Sequence, residues 1–392
     1  MNKPKIRFSG YTEAWEQRKV SDIATFINGR AYSQPELLSE GKYKVLRVGN
    51  FYTNDSWYYS DLELEDKYYA NDGDLLYTWS ATFGPHIWHG ERVIYHYHIW
   101  KVELTPYFNK SFAVQLFEYD KAKITSDKNG STMVHITKAG MENKEFMIPS
   151  IDEQKKLGTY FEHLDHLITL HQRKCDQTKK LKKYMLQKMF PQNGELYPEI
   201  RFEGFTNAWE QRKLSDVVNV YDGVHQTPEY KDEGVMFLSV ENITTLKSKK
   251  YISEEAFERD YKVYPEKGDI LMTRIGDIGT PNVVESSEKL AFYVSLALLK
   301  PHGIDSYYLK NAIQSKSFKK GLRERSLLTA IPMKINKDEI GKVDVFIPKD
   351  IEEQKKIGAA FKKLDHLITL HQRKCNELKE MKKYMLQNMF AM

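Results

Sequence analysis

A Glu-x-Lys sequence that recurs at equivalent positions of two similar segments has the spacing of a nuclease motif, whose chemistry would be cleavage of a phosphodiester. Glu153 precedes Lys155, and the same pair recurs as Glu353 and Lys355. Both pairs stand where a helix is predicted to begin. Carboxylates are expected there because the helix dipole is positive at its N-terminus. Since no well-placed Asp-bearing strand precedes either pair, the sequence favours two helix starts over a nuclease site.

Other catalytic signatures are missing from the sequence. There is no G-x-x-x-x-G-K-[ST] loop for ATP and no N-P-P-[YF] methyltransferase motif. The two cysteines, Cys175 and Cys375, occupy equivalent repeat positions without a Cys/His cluster, so neither a zinc site nor a disulfide is predicted. We expect reduced core thiols, no metal, and a non-catalytic chain that binds no cofactor itself.

The composition indicates a folded and mildly basic protein. Its 392 residues suit two or three domains, each large enough for a core. Lys and Arg number 59 against 54 Asp and Glu, and this net charge of +5 permits nucleic-acid binding without requiring it. No apolar stretch reaches about 18 residues, and the start, MNKPKIRFSG, lacks the apolar run of a signal peptide. We expect a soluble, cytoplasmic protein that does not bind membranes.

The chain is organised by an internal repeat. Residues 164–175 and 364–375 both read LDHLITLHQRKC, while most of the sequence between the copies differs. Four shorter sequences also recur: EQKK at 153–156 and 353–356, KKYMLQ at 182–187 and 382–387, AWEQRK at 14–19 and 208–213, and Arg7-Phe8 as Arg201-Phe202. This pattern predicts one scaffold used twice to hold two different domains.

Each copy of the repeat predicts a long helix. Ser150 with Glu153, and Asp350 with Glu353, form candidate capping boxes after a proline. Apolar residues then recur at spacings of four and three, the pattern of a coiled-coil seam. Each helix would be about 60 Å long, and the two would pair antiparallel; the alternative is that each packs on its own domain. The predicted seam residues are Leu157, Phe161, Leu164, Ile168, His171 and Cys175, with Ile357, Phe361, Leu364, Ile368, His371 and Cys375.

Lysines cluster towards the end of both predicted helices. We expect them to form a solvated face, with contact to DNA or to a partner protein as the alternative. The residues are Lys179, Lys180, Lys182 and Lys183 in the first helix and Lys379, Lys382 and Lys383 in the second.

The segments outside the helices predict domains of short strands. In both, a hydrophobic run follows a Gly-Asp turn, at 73–78 and 268–273, and precedes a loop of small, hydrogen-bonding residues. The predicted fold class is α+β. It combines α/β-type domains rich in short strands with two long helices that form an antiparallel coiled coil, in an internal pseudo-twofold repeat. The two domains share the same strand landmarks but carry different polar side chains in their loops, an arrangement that suits selective recognition of a ligand.

Together these repeats resemble the specificity subunit of a type I restriction-modification enzyme. The resemblance covers nearly the whole length and rests mainly on the two near-identical helices. It implies two target recognition domains, at 1–148 and 192–347, at opposite ends of a helix pair, at 149–191 and 348–392. Each domain would read one half of an asymmetric, bipartite DNA site, and the helices would fix the unread spacer.

The resemblance also implies partners. The chain would bind double-stranded DNA, two methyltransferase subunits and up to two restriction subunits, and those subunits would hold S-adenosylmethionine, ATP and Mg²⁺. Partner contact would involve the helices together with Trp15 and Trp209, although both tryptophans could equally be core residues. The rival hypothesis is a non-DNA scaffold, in which a coiled coil displays two protein-binding domains.

Candidate DNA contacts are polar loop side chains, because such groups read base edges or bind phosphates. The loop at 223–228 resembles one found in recognition domains of this family, while Arg47 and Arg274 could instead hold the fold through salt bridges. The candidates are Arg30, Tyr32, Ser33, Arg47, Asn50, Ser80, Thr82 and His86 in the first domain, and His225, Gln226, Thr227, Asn242, Arg274, Thr280 and Asn282 in the second.

Overall fold

The chain divides into two compact units, each built from segments that are distant in sequence. A computed structural model describes residues 3–52, 54–80, 82–126, 136–192 and 194–391. Unit 1 comprises Met1–His171 and Arg373–Met392, and unit 2 comprises Gln172–Gln372. The predicted domain boundaries follow the order of the chain, whereas each unit combines a recognition domain with parts of both long helices. Within the described ranges, no helix is long and apolar enough to cross a membrane.

Unit 1 is a domain of short strands with helices on one side. Runs such as LLYT form strands because β-branched and aromatic side chains pack well on a half-buried sheet. The strands are β1 Glu16–Lys19, β2 Ala24–Asn28, β3 Tyr43–Leu46, β4 Tyr58–Ser60, β5 Tyr69–Ala70, β6 Leu75–Thr78, β7 Gly84–Ile87, β8 Val93–Tyr95, β9 Ile99–Leu104 and β10 Glu145–Ile148. The helices are α1 Val20–Ile23, α2 Lys110–Ser126, α3 Lys138–Glu142 and α4 Ile151–Lys188, the last continuing into unit 2.

The strands of unit 1 form two main sheets and one small pair. The first sheet has the antiparallel order β2-β9-β6-β7, and the second has the order β4-β3-β8-β5, in which β3 and β8 are parallel. Helix α2 packs on the first sheet, where Phe117 contacts Phe26 and Tyr77 with ring centroids 6.1 and 5.8 Å away. Strand β1 pairs with β10 and so ties the N-terminal segment to the strand that leads into α4.

Unit 2 contains the corresponding elements. Its strands are β11 Glu210–Lys213, β12 Val218–Asp222, β13 Val235–Leu238, β14 Tyr251–Ile252, β15 Ile270–Thr273, β16 Pro281–Val283, β17 Leu290–Phe292, β18 Leu296–Pro301 and β19 Asp344–Ile347. Its helices are α5 Glu254–Asp260, α6 Ser306–Gln314, α7 Lys316–Glu324, α8 Lys337–Gly341 and α9 Ile351–Met389, of which the end belongs to unit 1.

The strand order of unit 2 repeats that of unit 1, except that its second sheet has three strands where that of unit 1 has four. Its sheets are β12-β18-β15-β16, β14-β13-β17 and the pair β11-β19, and β13 is parallel to β17 as β3 is to β8. Helix α6 takes the place of α2: Tyr308 packs on Phe190 and Trp209, as Phe112 packs on Phe390 and Trp15. The internal repeat predicted from the helices therefore extends through both recognition domains.

The long helices pair antiparallel within each unit. In unit 1, the Cys375 Sγ lies 3.8 Å from the Ile168 carbonyl oxygen, and the ring centroids of Phe161 and Phe390 are 5.9 Å apart. In unit 2, Cys175 lies 3.8 Å from the Ile368 carbonyl. All twelve predicted seam residues are buried or half-buried. The first turns of each helix also pack in the core of their own unit, where Phe161 joins Trp15 and Phe112. Both predicted alternatives are therefore true, because each helix pairs with the other helix and also packs on a recognition domain.

The predicted solvated face of lysines is wrong for two of its members. Lys182 pairs with Asp365 at 2.7 Å in unit 2, and Lys382 pairs with Asp165 at 2.6 Å in unit 1. Both lysine side chains are only 15–16% exposed. Helical spacing places these two lysines on the same face as the apolar seam residues, so their side chains point towards the neighbouring helix. A carboxylate of that helix compensates each charge. Burial alone would raise the pKa of Asp365, but the two cations Lys182 and Lys310 outweigh burial and lower the pKa below its usual value, so the carboxylate stays ionised.

The glutamates of the predicted capping boxes bind arginines instead, although Asp350 does cap its helix by accepting from the Glu352 nitrogen at 2.8 Å. Glu153 and Glu353 are each 1% exposed and bind Arg7 and Arg201 through paired hydrogen bonds of 2.7–2.9 Å. A buried carboxylate requires a cation or several donors, and an N-terminal arginine supplies them. Gln154, the residue after Glu153, donates from its side-chain amide to the Pro149 carbonyl at 2.9 Å and so fixes the chain just before the helix. The recurring Arg-Phe and EQKK sequences are therefore two sides of one contact.

Glycines in the first turns of α4 and α9 allow another helix to approach closely. A Cβ on Gly158 would lie 2.7 Å from the Ser111 Cβ and 2.9 Å from the Phe112 nitrogen. A Cβ on Gly358 would lie 2.9 Å from the Tyr308 nitrogen. Backbone atoms cannot yield to such a contact, so both positions need glycine although it weakens a helix. The recognition domains are thus fixed to the long helices by backbone as well as by side chains.

Candidate nucleic-acid interface

Three loops and one turn converge at an edge of unit 1, which we call the unit 1 edge. It comprises residues 29–33, 47–52, 79–86 and 96–98, as far as these are described. The Arg30 nitrogen donates to the Tyr95 carbonyl at 3.2 Å, and the His96 nitrogen donates to the Leu46 carbonyl at 2.9 Å. The Trp79 nitrogen donates to the His98 carbonyl at 3.2 Å. Backbone bonds to the turn at 96–98 therefore bring the separate loops together.

The predicted contacts at 30–33 are partly committed to the fold. Arg30 donates to Glu36 at 2.6 Å and lies 5.1 Å above the Tyr32 ring. Ser33 donates to the same carboxylate at 2.9 Å, and these bonds hold the pKa of Glu36 down to about 2. Burial raises the pKa of Tyr32 well above its usual value, so its hydroxyl stays protonated. The segment is a pre-ordered loop, with Ser33 at its exposed end.

Arg47 and Asn50 shape the next loop. Arg47 lies 4.2 Å above the Tyr58 ring and donates to the Ser56 carbonyl at 3.2 Å. The Asn50 amide donates to the Asn54 and Ser56 carbonyls at 3.0 Å, while its oxygen accepts from the Arg47 nitrogen. These contacts support the predicted alternative that Arg47 has a structural role. The guanidinium holds the loop through the Tyr58 ring and the Ser56 carbonyl, however, and not through a salt bridge.

His86 lies in an aromatic pocket at the unit 1 edge. Its ring stacks on Phe51 at 4.1 Å, and its Nε2 lies 3.2 Å from the Tyr52 hydroxyl and 3.4 Å from that of Thr78. Burial, with a contribution from Lys121, lowers the pKa of His86 to about 4. The ring is therefore neutral near pH 7 and suited to hydrogen bonding rather than to binding phosphate. Of the two other predicted residues here, Thr82 is exposed and Ser80 is buried.

Unit 2 builds an equivalent edge from different side chains. We call it the unit 2 edge, residues 223–228, 239–242, 274–282 and 293–295. The Val224 nitrogen donates to the Phe292 carbonyl, the Tyr293 nitrogen to the Leu238 carbonyl and the Arg274 nitrogen to the Ser295 carbonyl, at 3.3, 2.8 and 3.0 Å. These bonds match those of unit 1. A Cβ on Gly29 or Gly223 would lie 2.4 Å from a carbonyl oxygen of the facing turn, which explains glycine before both first loops.

The predicted contacts of the unit 2 edge fall into exposed and structural groups. His225, Gln226 and Thr227 are exposed in the first loop. Asn242 donates to the Lys247 carbonyl at 2.9 Å and Asn282 to the Ile243 carbonyl at 3.0 Å, so both amides order the loop at 243–247. Thr280 donates to Asp277 at 2.6 Å.

Arg274 does not face solvent. It is 5% exposed and forms an ion pair with Asp222, at the end of strand β12, which is separated from β15 by β18. A buried guanidinium needs such a carboxylate, so the position connects two loops of the edge. This burial and this ion pair favour the salt-bridge alternative for Arg274 over the predicted DNA contact.

The two tryptophans lie in the cores of their units. Trp15 is 2% exposed and Trp209 is 1% exposed, and the Trp209 Nε1 donates to Glu353 at 3.3 Å. Neither indole offers a surface to another subunit. The core alternative for these residues is thus the one that the structure supports.

The sequence interpretation missed the turn at the centre of the unit 1 edge. His96, Tyr97 and His98 lie there, with the Tyr97 and His98 rings 3.9 Å apart and Tyr97 39% exposed. Burial, together with His98 and Arg47, lowers the pKa of His96 to about 4. Exposed aromatic rings stack on bases, and neutral imidazoles both donate and accept hydrogen bonds. The sequence signal that could have identified this turn is the run of three ring-bearing residues, His96, Tyr97 and His98, between two strands.

The chemistry of both edges is that of binding. The edges present hydroxyls, amides, imidazoles and aromatic rings on loops held by backbone hydrogen bonds, and these are the groups that read base edges and stack on bases. Among the described residues, no three His, Cys, Asp or Glu side chains lie together as a metal site. These features fit recognition of a nucleic acid.

The sequence matches the family model of the type I restriction modification DNA specificity domain twice, at residues 12–180 and 207–380. This chain belongs to that family. The specificity subunits of the family are non-catalytic and serve DNA recognition, with DNA and the methyltransferase and restriction subunits as partners. The resemblance inferred from the repeats is confirmed.

Known specificity subunits resemble this chain along nearly its whole length. The type I restriction enzyme MjaVIII specificity subunit of Methanocaldococcus jannaschii is 23% identical over 390 residues, covering 95% of this chain and 91% of the relative. The crystal structure of the S subunit from M. genitalium has a TM-score of 0.70 at 15% identity, over 100% of this chain and 99% of that one. A structure from work on assembly of the type I R-M system has a TM-score of 0.51 at 15% identity, over 95% and 96% of the chains. The predicted fold class is confirmed.

Proposed function

We propose that this chain selects DNA by reading an asymmetric, bipartite site, with one half-site at each recognition edge. The observation that carries the proposal is that both edges have the same backbone contacts but different side chains. The unit 1 edge presents His86, Tyr97 and the Ser33 loop, whereas the unit 2 edge presents His225, Gln226 and Thr227. One frame with two sets of readers is what an asymmetric split site requires.

Within this proposal, the exposed loop residues read bases and the buried ones hold the loops in place. Gln226 has the amide that pairs with adenine, and His225 and Thr227 add further donors and acceptors. Asn50, Asn242, Asn282 and the Arg274–Asp222 pair keep loop geometry fixed. Fixed loops favour specificity because little conformational entropy is lost on binding.

The long helices fix the spacer between the half-sites and recruit the other subunits in this proposal. Two methyltransferase subunits and up to two restriction subunits would assemble on the chain. S-adenosylmethionine, ATP and Mg²⁺ would be held by those subunits, and this chain would bind none of them. Exposed side chains on the helices, such as Lys179, Lys183 and Leu181, are available for such contacts.

The test is to map the methylation that the chain directs. The chain is co-expressed with its methyltransferase subunit, and adenine methylation of plasmid DNA is mapped by single-molecule sequencing. We expect one split motif with an undefined centre of several bases. Replacing residues 20–148 by the corresponding segment of another subunit should change one half of the motif only.

Point variants sharpen this test within one edge. His225→Ala with Gln226→Ala should relax the unit 2 half-site and leave the other half unchanged, since a good bidentate contact discriminates by about 1–3 kcal/mol. Glu229→Ala, also exposed and close in sequence, is the matched control and should preserve the motif. Co-purification without any methylated motif would contradict the proposal. Failure to co-purify, together with no salt-dependent affinity for duplex DNA, would favour the protein-binding scaffold.

A further inference from the structure

An exposed apolar tip stands beside the unit 2 edge. In the segment Arg325–Ile335, Leu327, Leu328 and Ile331 are 45%, 61% and 100% exposed. No contact with the described residues of unit 2 covers the Ile331 side chain, although its burial would be favourable. The tip is therefore a candidate for burial against a partner.

The tip is held at the edge by its two flanks. The Leu327 nitrogen donates to the Lys334 carbonyl at 2.8 Å, which closes the segment into a small hairpin. The Gly276 nitrogen donates to the Met333 carbonyl at 2.8 Å, and the Ile335 nitrogen to the Arg274 carbonyl at 3.0 Å. The base of the hairpin is thus bonded to the loop that follows the Gly-Asp strand, while its apolar tip remains in solvent.

The surroundings of the tip favour a polyanion. The segment from Arg325 to Ile335 contains two cations and no carboxylate, and Lys334 at its base is exposed. The exposed carboxylate that precedes the segment, Glu324, pairs with Lys320 at 3.7 Å. Arg323 is exposed just before it, while Arg325 binds Glu339 at 3.3 Å. Asp277, in the adjoining loop, accepts from Thr280. Apolar side chains flanked by cations are typical of wedges that enter a DNA base stack.

The size of the tip also favours DNA over a protein. A stable protein interface buries about 800 Å² on each partner, far more than two aliphatic side chains provide. One unstacked base step, in contrast, is filled by a leucine or an isoleucine. We propose that Leu328 and Ile331 form an apolar wedge that enters the base stack of the half-site bound by unit 2. This inference rests on the proposed function, because it needs DNA at the unit 2 edge.

The wedge belongs to one half-site only. In unit 1 the corresponding segment ends at Ile136, whose nitrogen donates to the Trp79 carbonyl at 3.3 Å, as that of Ile335 donates to Arg274. The sequence before Ile136 contains Asp127, Lys128 and Asn129, and residues 127–135 lie outside the described part of the chain. When Ile136 is aligned with Ile335, Asn129 and Thr132 occupy the positions of Leu328 and Ile331, and the apolar residues Met133 and Val134 come after them.

The experiment measures base unstacking in the complete complex with the methyltransferase subunit. Duplexes carrying the mapped motif receive 2-aminopurine at one position at a time, and its fluorescence rises where a base unstacks. With the wild-type chain, we expect a rise in the unit 2 half-site at a step other than the methylated adenine, which the methyltransferase flips. No such additional rise is expected in the unit 1 half-site.

Variants separate the wedge from other roles. Leu328→Ser with Ile331→Ser should abolish the additional rise and weaken binding about tenfold at constant salt. The slope of log affinity against log salt should not change, because no phosphate contact is removed. Leu328→Phe should retain the rise. Leu196→Ser, at another exposed apolar residue of unit 2, is the matched control and should behave as wild type.

Each outcome decides the inference. Loss of the additional rise with an intact complex and an unchanged melting temperature supports the wedge. Unchanged fluorescence and affinity in the double serine variant overturn it, and so does loss of co-purification, which would assign the tip to a protein contact. If the wild-type complex methylates a split motif but shows no additional rise, only the wedge fails. If it methylates no motif, the proposed function fails as well.

Discussion

The two units differ least where they hold the long helices and most where they face DNA in the proposed function. Arg7–Glu153 corresponds to Arg201–Glu353, and Lys382–Asp165 to Lys182–Asp365, with distances that agree within 0.1 Å. At the edges, the turn His96-Tyr97-His98 corresponds to Tyr293-Val294-Ser295. Residues that fix the frame are thus retained in both copies, whereas residues of the edge turns are replaced.

This difference separates assembly from selectivity. The shared contacts are buried and involve charges, so a change in one of them leaves an uncompensated group and is costly. The exposed side chains at the edges, such as Ser33 and Gln226, stand on loops that backbone bonds and buried side chains hold in place. Substitution of the exposed residues alters what the edge presents without unfolding it, which suits a protein whose halves read different sequences.

The largest expected effect tests whether the two frames are equally important. Glu153→Gln and Glu353→Gln each leave a largely buried arginine without its carboxylate, and each should lower the free energy of unfolding by about 3–5 kcal/mol. Denaturant unfolding followed by tryptophan fluorescence measures the change. Glu352→Gln, whose side chain is 62% exposed, is the control and should have little effect. A large loss from only one of the buried glutamates would contradict the equivalence of the frames.

Acid should distinguish the two edges. Burial lowers the pKa of His86 and of His96 from 6.5 to about 4, so the folded chain keeps both rings neutral. As the pH falls below 6.5 the unfolded chain takes up protons first, and the stability that neutral burial provides is lost between 6.5 and about 4. By about pH 5 the free energy of unfolding should fall by about 2 kcal/mol for His86, and by less for His96, which is less buried and therefore more screened by solvent. Above the unfolded pKa the two rings should give no pH dependence.

The measurement is thermal unfolding at about pH 7 and about pH 5, in the range where these groups titrate. His86→Gln with His96→Gln should remove most of the acid sensitivity of unit 1. His225→Gln, at the exposed loop of the unit 2 edge, is the matched control and should leave that sensitivity in place. Equal acid sensitivity in the double variant and the wild type would refute the assignment.

A smaller effect concerns the close approach of the helices. Gly158→Ala and Gly358→Ala gain about 1 kcal/mol of helix propensity, but each new Cβ meets a backbone nitrogen of α2 or α6 at 2.9 Å. We expect a net loss of about 1–2 kcal/mol in both, because overpacking against backbone is not relieved by side-chain movement. Urea unfolding measures it. Thr159→Ala, exposed in the same turn of α4, should be neutral or stabilising, and a stabilised Gly158→Ala variant would disprove the contact.

The smallest effect sharpens the comparison at a single hydrogen bond. The Trp209 Nε1 donates to Glu353 at 3.3 Å, whereas the buried Trp15 Nε1 has no hydrogen-bond partner among the described residues. Replacement by phenylalanine leaves a similar cavity in both units, so Trp209→Phe should cost about 1 kcal/mol more than Trp15→Phe. Parallel denaturant titrations of the two variants measure the difference. Equal losses would show that the bond adds nothing to stability.

Much of the frame could be predicted from the sequence, but its charged contacts could not. The heptad spacing placed Phe161 and Ile368 on the pairing face, because helical periodicity is a local property. The same local logic assigned Glu153 to a capping box, since a carboxylate near a helix start normally serves the dipole. Its true partner, Arg7, is 146 residues away, and no local pattern connects them.

The candidate site was predictable as a set of loops rather than as a set of contacts. Loop composition identified His225, Gln226 and Thr227, which are exposed, but also Arg274, which is buried against Asp222. The turn at His96 was missed because its importance comes from the strands on either side. Parallel pairing of β3 with β8 places it beside loops that come from three other parts of the chain.

The sequence by itself determined the duplication, the two long helices, the family and the division between shared frame and variable domains. These properties follow from repeated letters and from periodicities that act over a few residues. Only the tertiary structure decided which lysines and glutamates are buried in ion pairs, which loops meet at an edge, and which side chains there remain exposed. Those outcomes depend on strand order and on the close packing of segments more than 100 residues apart, because burial and charge compensation are set by whatever the fold brings together.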